Sequence, residues 1–285
     1  MSPTFPEVTY TPASRLNQPL RLFRDMLQDL WNSRELAWRL FVRDICALYR
    51  QTALGLFWAF LPPIATTIAF VILNSGKVLN IGEGANIPYP AFVMLGTVLW
   101  ELFKDSLNAP IYIVTRAKTM LSKINFPQEA LILSGIGEVL FSFSIKLFLL
   151  IPIFWWFKVP VAPSVILVPV AILFLLLFGT MIGMLLVPIG MLFQDFSKIL
   201  PIVMMLWMLF TPVVYPPTRE GILGKINSLN PVSPLIVTAK NWVVVGFGTD
   251  SPLFWLVGGI AMVLLLLGWV AYKLSMPIII ERMQT

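Results

Sequence analysis

The sequence contains no histidine and a single cysteine, Cys46. The first absence excludes His-ligated metals and any triad built on an imidazole base. The second excludes an internal disulfide and a cysteine-cluster metal site. Charge is scarce: Asp, Glu, Lys and Arg make up 12% of the chain, about half the share found in soluble domains. A Walker A pattern is missing as well. Gly76-Lys77 and Gly224-Lys225 are followed by Val78 and Ile226, where a phosphate loop needs Ser or Thr for Mg²⁺. No G-x-S-x-G elbow, no H-E-x-x-H and no loop-borne carboxylate pair occurs. An enzyme reading has little to stand on, and neither a cofactor nor a metal is expected on this chain.

What the chain does have is apolar surface. It is 58% hydrophobic over 285 residues, with mean hydropathy +0.85. A soluble chain of this length cannot bury that much, because accessible surface falls slowly with size. A bilayer removes the problem by acting as solvent. The net charge of +6 then points to anionic lipid, with no nucleic acid expected.

A helix needs about 20 apolar residues to cross the hydrocarbon. Six runs qualify, at 56–74, 91–113, 131–157, 165–193, 199–215 and 252–275. The expected fold is therefore an all-α membrane protein with six transmembrane helices. Pro62-Pro63 in the first run, and Pro201 and Pro212 in the fifth, are expected to kink their helices. The first fifty residues do not read as a signal peptide: they are polar and carry Pro3, Pro6, Pro12 and Pro19 early. The expected organisation is a cytoplasmic arm at 1–33, an amphipathic interface helix at 34–55, the six-span region at 56–275 and a cytoplasmic tail at 276–285.

Basic residues set the orientation. Fourteen fall on the side of the N-terminal arm and five on the other, with Lys146 inside a span. In this count Lys104 goes with Arg116, Lys118 and Lys123 in the loop after the second span, nearer that span. Both termini are thus expected in the cytoplasm, and the chain in a bacterial inner membrane. In residues 34–50, Trp38, Phe41, Val42, Ile45, Leu48 and Tyr49 share one helical face. Glu35, Arg39, Arg43 and Arg50 share the other. A helix of this kind lies in the membrane surface with its arginines toward lipid phosphate or a partner.

Ionisable groups inside a span mark function more often than elsewhere. Glu138 and Lys146 are read as the two that lie well inside. They are eight residues apart, about 12 Å along a helix, and so cannot pair with each other on it. Ser134, Gly135, Gly137, Ser142 and Ser144 share their span. The functional reading is a polar stripe facing a hydrophilic pathway or gate. The bland one is Glu138 near an interface and Lys146 bonded to a neighbouring helix. Gly179-x-x-x-Gly183 permits close helix approach, and within one chain it more often marks internal packing than a dimer seam. Between the fifth and sixth runs, residues 216–251 are divided by Pro216-Pro217, Asn230-Pro231 and Pro234. The apolar pieces between them are each too short to cross, so a re-entrant helical segment entering from the outer face is expected.

Four stretches, in order, carry a resemblance. They are Arg43-Asp44 with Tyr49-Arg50-Gln51-Thr52-Ala53-Leu54-Gly55 and Trp58, then Pro88 to Val93 with Gly96 and Trp100. Lys123-Ile124-Asn125-Phe126-Pro127 follows, and then Phe210 to Pro216 with Leu229-Asn230-Pro231. Over roughly residues 40–275 the chain resembles the membrane permease subunit of ABC exporters of polysaccharide, of O-antigen, capsule or teichoic acid type, in the ABC type-2 family. It departs from them at Gln194-Asp195, where an Arg-Asp pair is common, and at Lys240-Asn241-Trp242.

The resemblance implies a homodimer joined to two copies of a separate ATPase, which would bind the ATP and Mg²⁺. It also implies a lipid-linked glycan as substrate, beside the membrane lipids. Lys118, Met120, Leu121, Lys123, Asn125, Phe126 and Pro127 would form a short cytoplasmic coupling helix against that ATPase. Arg39, Arg43, Asp44 and Arg50 would border the entrance. Glu138, Ser142, Lys146, Tyr215 and Trp242 are the candidates for channel lining or gate. The alternatives are an ABC type-2 permease for a drug or a lipid, and a membrane subunit without transport.

Overall fold

The computed structural model describes residues 19–50, 55–76, 87–121, 127–193, 195–217 and 221–284, and among these all regular secondary structure is helical. Two helices come first, α1 (Pro19–Asn32) and α2 (Arg34–Arg50). A 3₁₀ turn at Gly55–Ala59 leads into α3 (Leu61–Ser75). Then follow α4 (Tyr89–Arg116), the single turn α5 (Lys118–Leu121) and α6 (Glu129–Trp156). A second 3₁₀ turn, Pro163–Leu167, opens α7 (Val168–Leu192), and α8 (Phe196–Leu209) follows. Two short helices, α9 (Gly221–Leu229) and α10 (Val232–Val244), precede the long α11 (Pro252–Gln284).

Three of these helices are long and apolar enough to cross a membrane: Glu129–Trp156, Pro163–Leu192 and Pro252–Met276. Two further apolar helices, Leu61–Ser75 and Phe196–Leu209, are shorter. α4 has the length, 28 residues or about 42 Å, but Glu101, Lys104 and Asp105 interrupt its apolar run. Several prolines start helices where kinks were expected. Pro62 and Pro63 occupy the first turn of α3, where the missing N–H costs nothing and the fixed φ favours entry. Pro212 lies past the end of α8, in the turn that closes it. Pro201 does sit inside α8.

α4 is the centre of the bundle. It packs against α3, α6, α7 and α10, and most of its residues are buried. The crossing with α7 is close because α7 has no side chain where it meets α4. A Cβ on Gly183 would stand 2.3 Å from the Leu107 carbonyl oxygen. One on Gly179 would stand 2.8 Å from that of Phe103. The glycine pair is thus an internal seam. Beside it the Phe103 ring meets Trp207 of α8 edge-on, with centroids 5.2 Å apart. α11 covers the far side of α7, where Gly258 leaves room for the Phe174 ring.

α2 lies against α6. Phe41 reaches over Gly137 and meets Phe141 edge-on at 6.2 Å. The face it buries, Ala37, Leu40 and Asp44, is rotated from the apolar face marked in the sequence, and Trp38, Val42 and Leu48 are exposed. α1 is tied to the same end of the bundle. Lys273 of α11 bonds Asp29 of α1 at 2.6 Å and Glu129 of α6 at 2.9 Å.

The α4–α7 seam predicts a position-specific sensitivity. Gly183→Ala should destabilise the protein by about 1–3 kcal/mol, the usual cost of overpacking against backbone. Gly259→Ala, where nothing lies within 4 Å, should have no such effect. Thermal melting in detergent checks both, and equal melting of the two variants would contradict the seam.

Candidate functional site

Six residues of α4 recur at spacings of three and four: Glu101, Lys104, Asp105, Asn108, Tyr112 and Arg116. At 3.6 residues per turn they fall within an arc of about 120°. They form one polar face on a helix whose other sides are buried in apolar contacts. That face borders a cleft of about 570 Å³. Its opposite walls come from α6 (Gly135, Glu138, Val139 and Ser142), from α8 (Pro201, Met204, Met205 and Met208) and from Ile45 and Leu48 of α2.

The charges of the cleft are held in pairs. Lys146, 4% exposed at its side chain, donates to Asp105 at 2.6 Å and to Glu101 at 3.2 Å. Lys104 donates to the other oxygen of Glu101. Arg116 donates to both oxygens of Glu138, each at 3.1 Å. Next to this pair, Arg43 of α2 bonds Asp44 at 2.8 Å. The Asn108 amide oxygen is buried and has no hydrogen-bond partner among the described residues.

Reading the sequence for ionisable groups well inside a span found Glu138 and Lys146 and missed their partners. Glu101, Lys104 and Asp105 lie at the middle of α4, and Lys104 is no loop residue. As expected, Glu138 and Lys146 do not meet; each pairs instead with α4. The signal that could have found the partners was the three-and-four spacing of polar residues along 101–116.

Of the other site residues marked in the sequence, Ser142 lines the cleft with Glu138. Tyr215 and Trp242 lie elsewhere. The Tyr215 hydroxyl donates to Asn227 at 3.1 Å. Trp242 is buried, its ring edge-on to Phe254 at 5.0 Å. Arg39 is exposed and paired with Glu35 at 2.7 Å, and Arg50 is exposed at the end of α2. In the segment expected to couple, Lys118 and Pro127 are exposed, while Met120 and Leu121 pack on the protein's own core. Lys123, Asn125 and Phe126 lie outside the described residues.

A second polar cluster holds the turn after α8. The Asn230 amide nitrogen donates to Thr211 at 2.8 Å and to the Phe210 carbonyl at 3.3 Å, while its oxygen accepts from Trp207 at 3.1 Å. Lys240 of α10 is buried, and among the described residues it has no carboxylate partner. Its ammonium donates to the Pro212 and Val213 carbonyls, each at 3.0 Å, and lies 3.5 Å above the centre of the Phe92 ring. Gly96 keeps this spot open, since a Cβ there would stand 2.1 Å from the Val213 oxygen. Burial pushes the Lys240 ammonium well below the usual lysine range.

An apolar helical bundle with a charge-paired cleft is the frame of a transporter's membrane domain. Residues 35–241 match the family described as ABC-2 type transporter, and the chain belongs to that family as a transporter membrane subunit. It is also similar to the O-antigen export system permease protein RfbA of Myxococcus xanthus. The two are 27% identical over 217 residues, which cover 75% of this chain and 82% of that protein.

The Lys146 cluster predicts a graded loss of stability. Lys146→Met strands Asp105 and leaves Glu101 with Lys104 alone, and should cost about 3–5 kcal/mol. Lys146→Met with Asp105→Asn should recover much of this, because Glu101 keeps Lys104. Detergent melting of the two variants checks the order; a double variant no more stable than the single one would contradict the pairing.

Proposed function

We propose that the chain is the membrane-spanning subunit of an ATP-driven exporter of a lipid-linked polysaccharide, working as a homodimer with two copies of a separate ATPase. The observation that carries this reading is the cleft: a polar, charge-paired wall along α4 inside a bundle of the ABC-2 type transporter family. The likeness to an O-antigen export permease over 75% of the chain supports a glycan as cargo. Hydroxyl-rich chains need hydrogen-bond partners along their whole path, and an all-apolar route offers none.

On this reading the chain crosses the inner membrane six times, by α3, α4, α6, α7, α8 and α11, with both termini in the cytoplasm. The pairing of Glu101, Lys104 and Asp105 supports a crossing by α4, since neutralised charges cost far less in hydrocarbon than free ones. α2 would lie at the cytoplasmic interface, where its exposed Trp38 and Val42 meet lipid. α9 and α10, 9 and 13 residues long, are too short to cross about 30 Å of hydrocarbon and would dip in from the outer face. The exposed Lys118 and Pro127 flank the stretch that would seat on the ATPase.

Proteoliposomes holding the permease with its ATPase should move a polyprenyl-linked oligosaccharide into the lumen only when ATP is supplied. Transfer at the same rate without ATP, or failure of any ATPase to co-purify, would overturn the reading. Lys118→Glu should leave ATP hydrolysis near its normal rate and lower export about tenfold, the size of one charge-assisted contact. Unchanged export in this variant would remove Lys118 from the coupling surface.

A further inference from the structure

We propose that the cleft along α4 selects an uncharged glycan over a polyanionic one. The inference rests on the export reading above and adds the chemical class of the cargo.

It starts from the balance of charge. Among the described residues the charged groups lining the cleft are Lys104, Arg116, Glu101, Asp105 and Glu138, and Lys146, buried behind this wall, pairs with Asp105 and Glu101, so that cleft and wall together carry no net charge. The neighbouring Arg43–Asp44 pair is neutral too. Each cation is engaged by a carboxylate of the protein itself. A path for phosphate- or uronate-bearing repeats would need cations in excess, free to meet one anion after another. Here a passing anion meets carboxylates whose partners are already taken, in surroundings of low dielectric where an unmatched charge is costly.

What the cleft still offers is hydrogen bonding of both kinds. A sugar hydroxyl donates one hydrogen and accepts through its oxygen. The Asn108 amide oxygen, buried at the cleft, has no partner among the described residues and can accept. The carboxylates hold unused lone pairs, and Lys104 and Arg116 hold unused N–H groups. The Ser142 hydroxyl is at the cleft as well. Tyr112, half exposed beside these groups, supplies a ring on which the apolar face of a pyranose can lie. This set suits a chain that is polar everywhere and charged nowhere.

The test compares two probes on one polyprenyl carrier and of one length, a neutral hexose oligosaccharide and one with a uronic acid in every repeat. Proteoliposomes of the complete permease–ATPase complex are given ATP, and protection of each probe from an external glycosidase is followed. The neutral probe should be protected about tenfold faster. Glu138→Gln leaves the cleft with one net positive charge and should shrink that ratio. Arg116→Gln leaves one net negative charge and should widen it. The double variant should return it to the wild-type value. The ratio is measured within each variant, so a lower yield of folded protein does not alter it. A wild-type ratio at or below one, or a ratio that neither single variant moves, would overturn the selectivity and leave the export reading in place. If neither probe gains ATP-dependent protection while the ATPase turns over, the export reading itself falls, and the selectivity with it.

Discussion

The ammonium of Lys146 sits inside a 28-residue apolar helix, on a side chain only 4% exposed. A cation in that place has to be neutralised by protein, and much of the architecture follows from how this is done. Its carboxylate partners, Asp105 and Glu101, are both on α4. Their distances fix the register of α4 against α6 and decide which way α4 is turned about its axis. With one face of α4 committed to charge, the remaining faces can bury only apolar surface. The α7 glycines then let the α4 backbone come close on the far side. One ion-pair cluster thus sets the cleft, the α4–α6 contact and, through the rotation of α4, the α4–α7 seam.

The parts of the fold legible in the sequence are those where each segment's own residues decide. The runs at 131–157, 165–193 and 252–275 coincide closely with the apolar stretches Glu129–Trp156, Pro163–Leu192 and Pro252–Met276 because their apolar content leaves a helix no alternative in a bilayer. The Asn230-Pro231 break was also readable, and it separates α9 from α10. The chemistry of the cleft was less legible. Read along the chain, Glu101, Lys104 and Asp105 look like the ragged end of an apolar run. Read at three-and-four spacing, they are the upper part of a face that continues to Arg116. The register of α2 was legible only in part. Its wheel shows an apolar face, but the side that becomes buried is chosen by a gap on α6, where Gly137 admits Phe41. Information of that kind lies in the partner helix.

Lys240 illustrates a limit of another sort. Its acceptors are carbonyls freed where the backbone turns at Pro212 and Val213. Nothing in the side chains near Lys240 announces them, because any residue has a carbonyl and only the path of the chain exposes these two. The same turn is held by Asn230, whose amide reaches Thr211 and Phe210 at once. An Asn-Pro step that reads as a helix break is therefore also the peg that fixes the end of α8.

Lys146 and Lys240, both buried, meet the same requirement by different means. Lys240 spends its hydrogens on backbone carbonyls and its remaining side on the Phe92 ring. Lys146 uses side-chain carboxylates that border an open cleft and keep lone pairs in reserve. Backbone acceptors are neutral dipoles that cannot balance a full charge, so burial pushes Lys240 toward its uncharged form. Carboxylates balance the charge of Lys146 and carry their own polarity to the cleft wall. A transporter's membrane subunit can hold both arrangements. One removes polarity from the bundle, and the other displays it along the wall of a cleft.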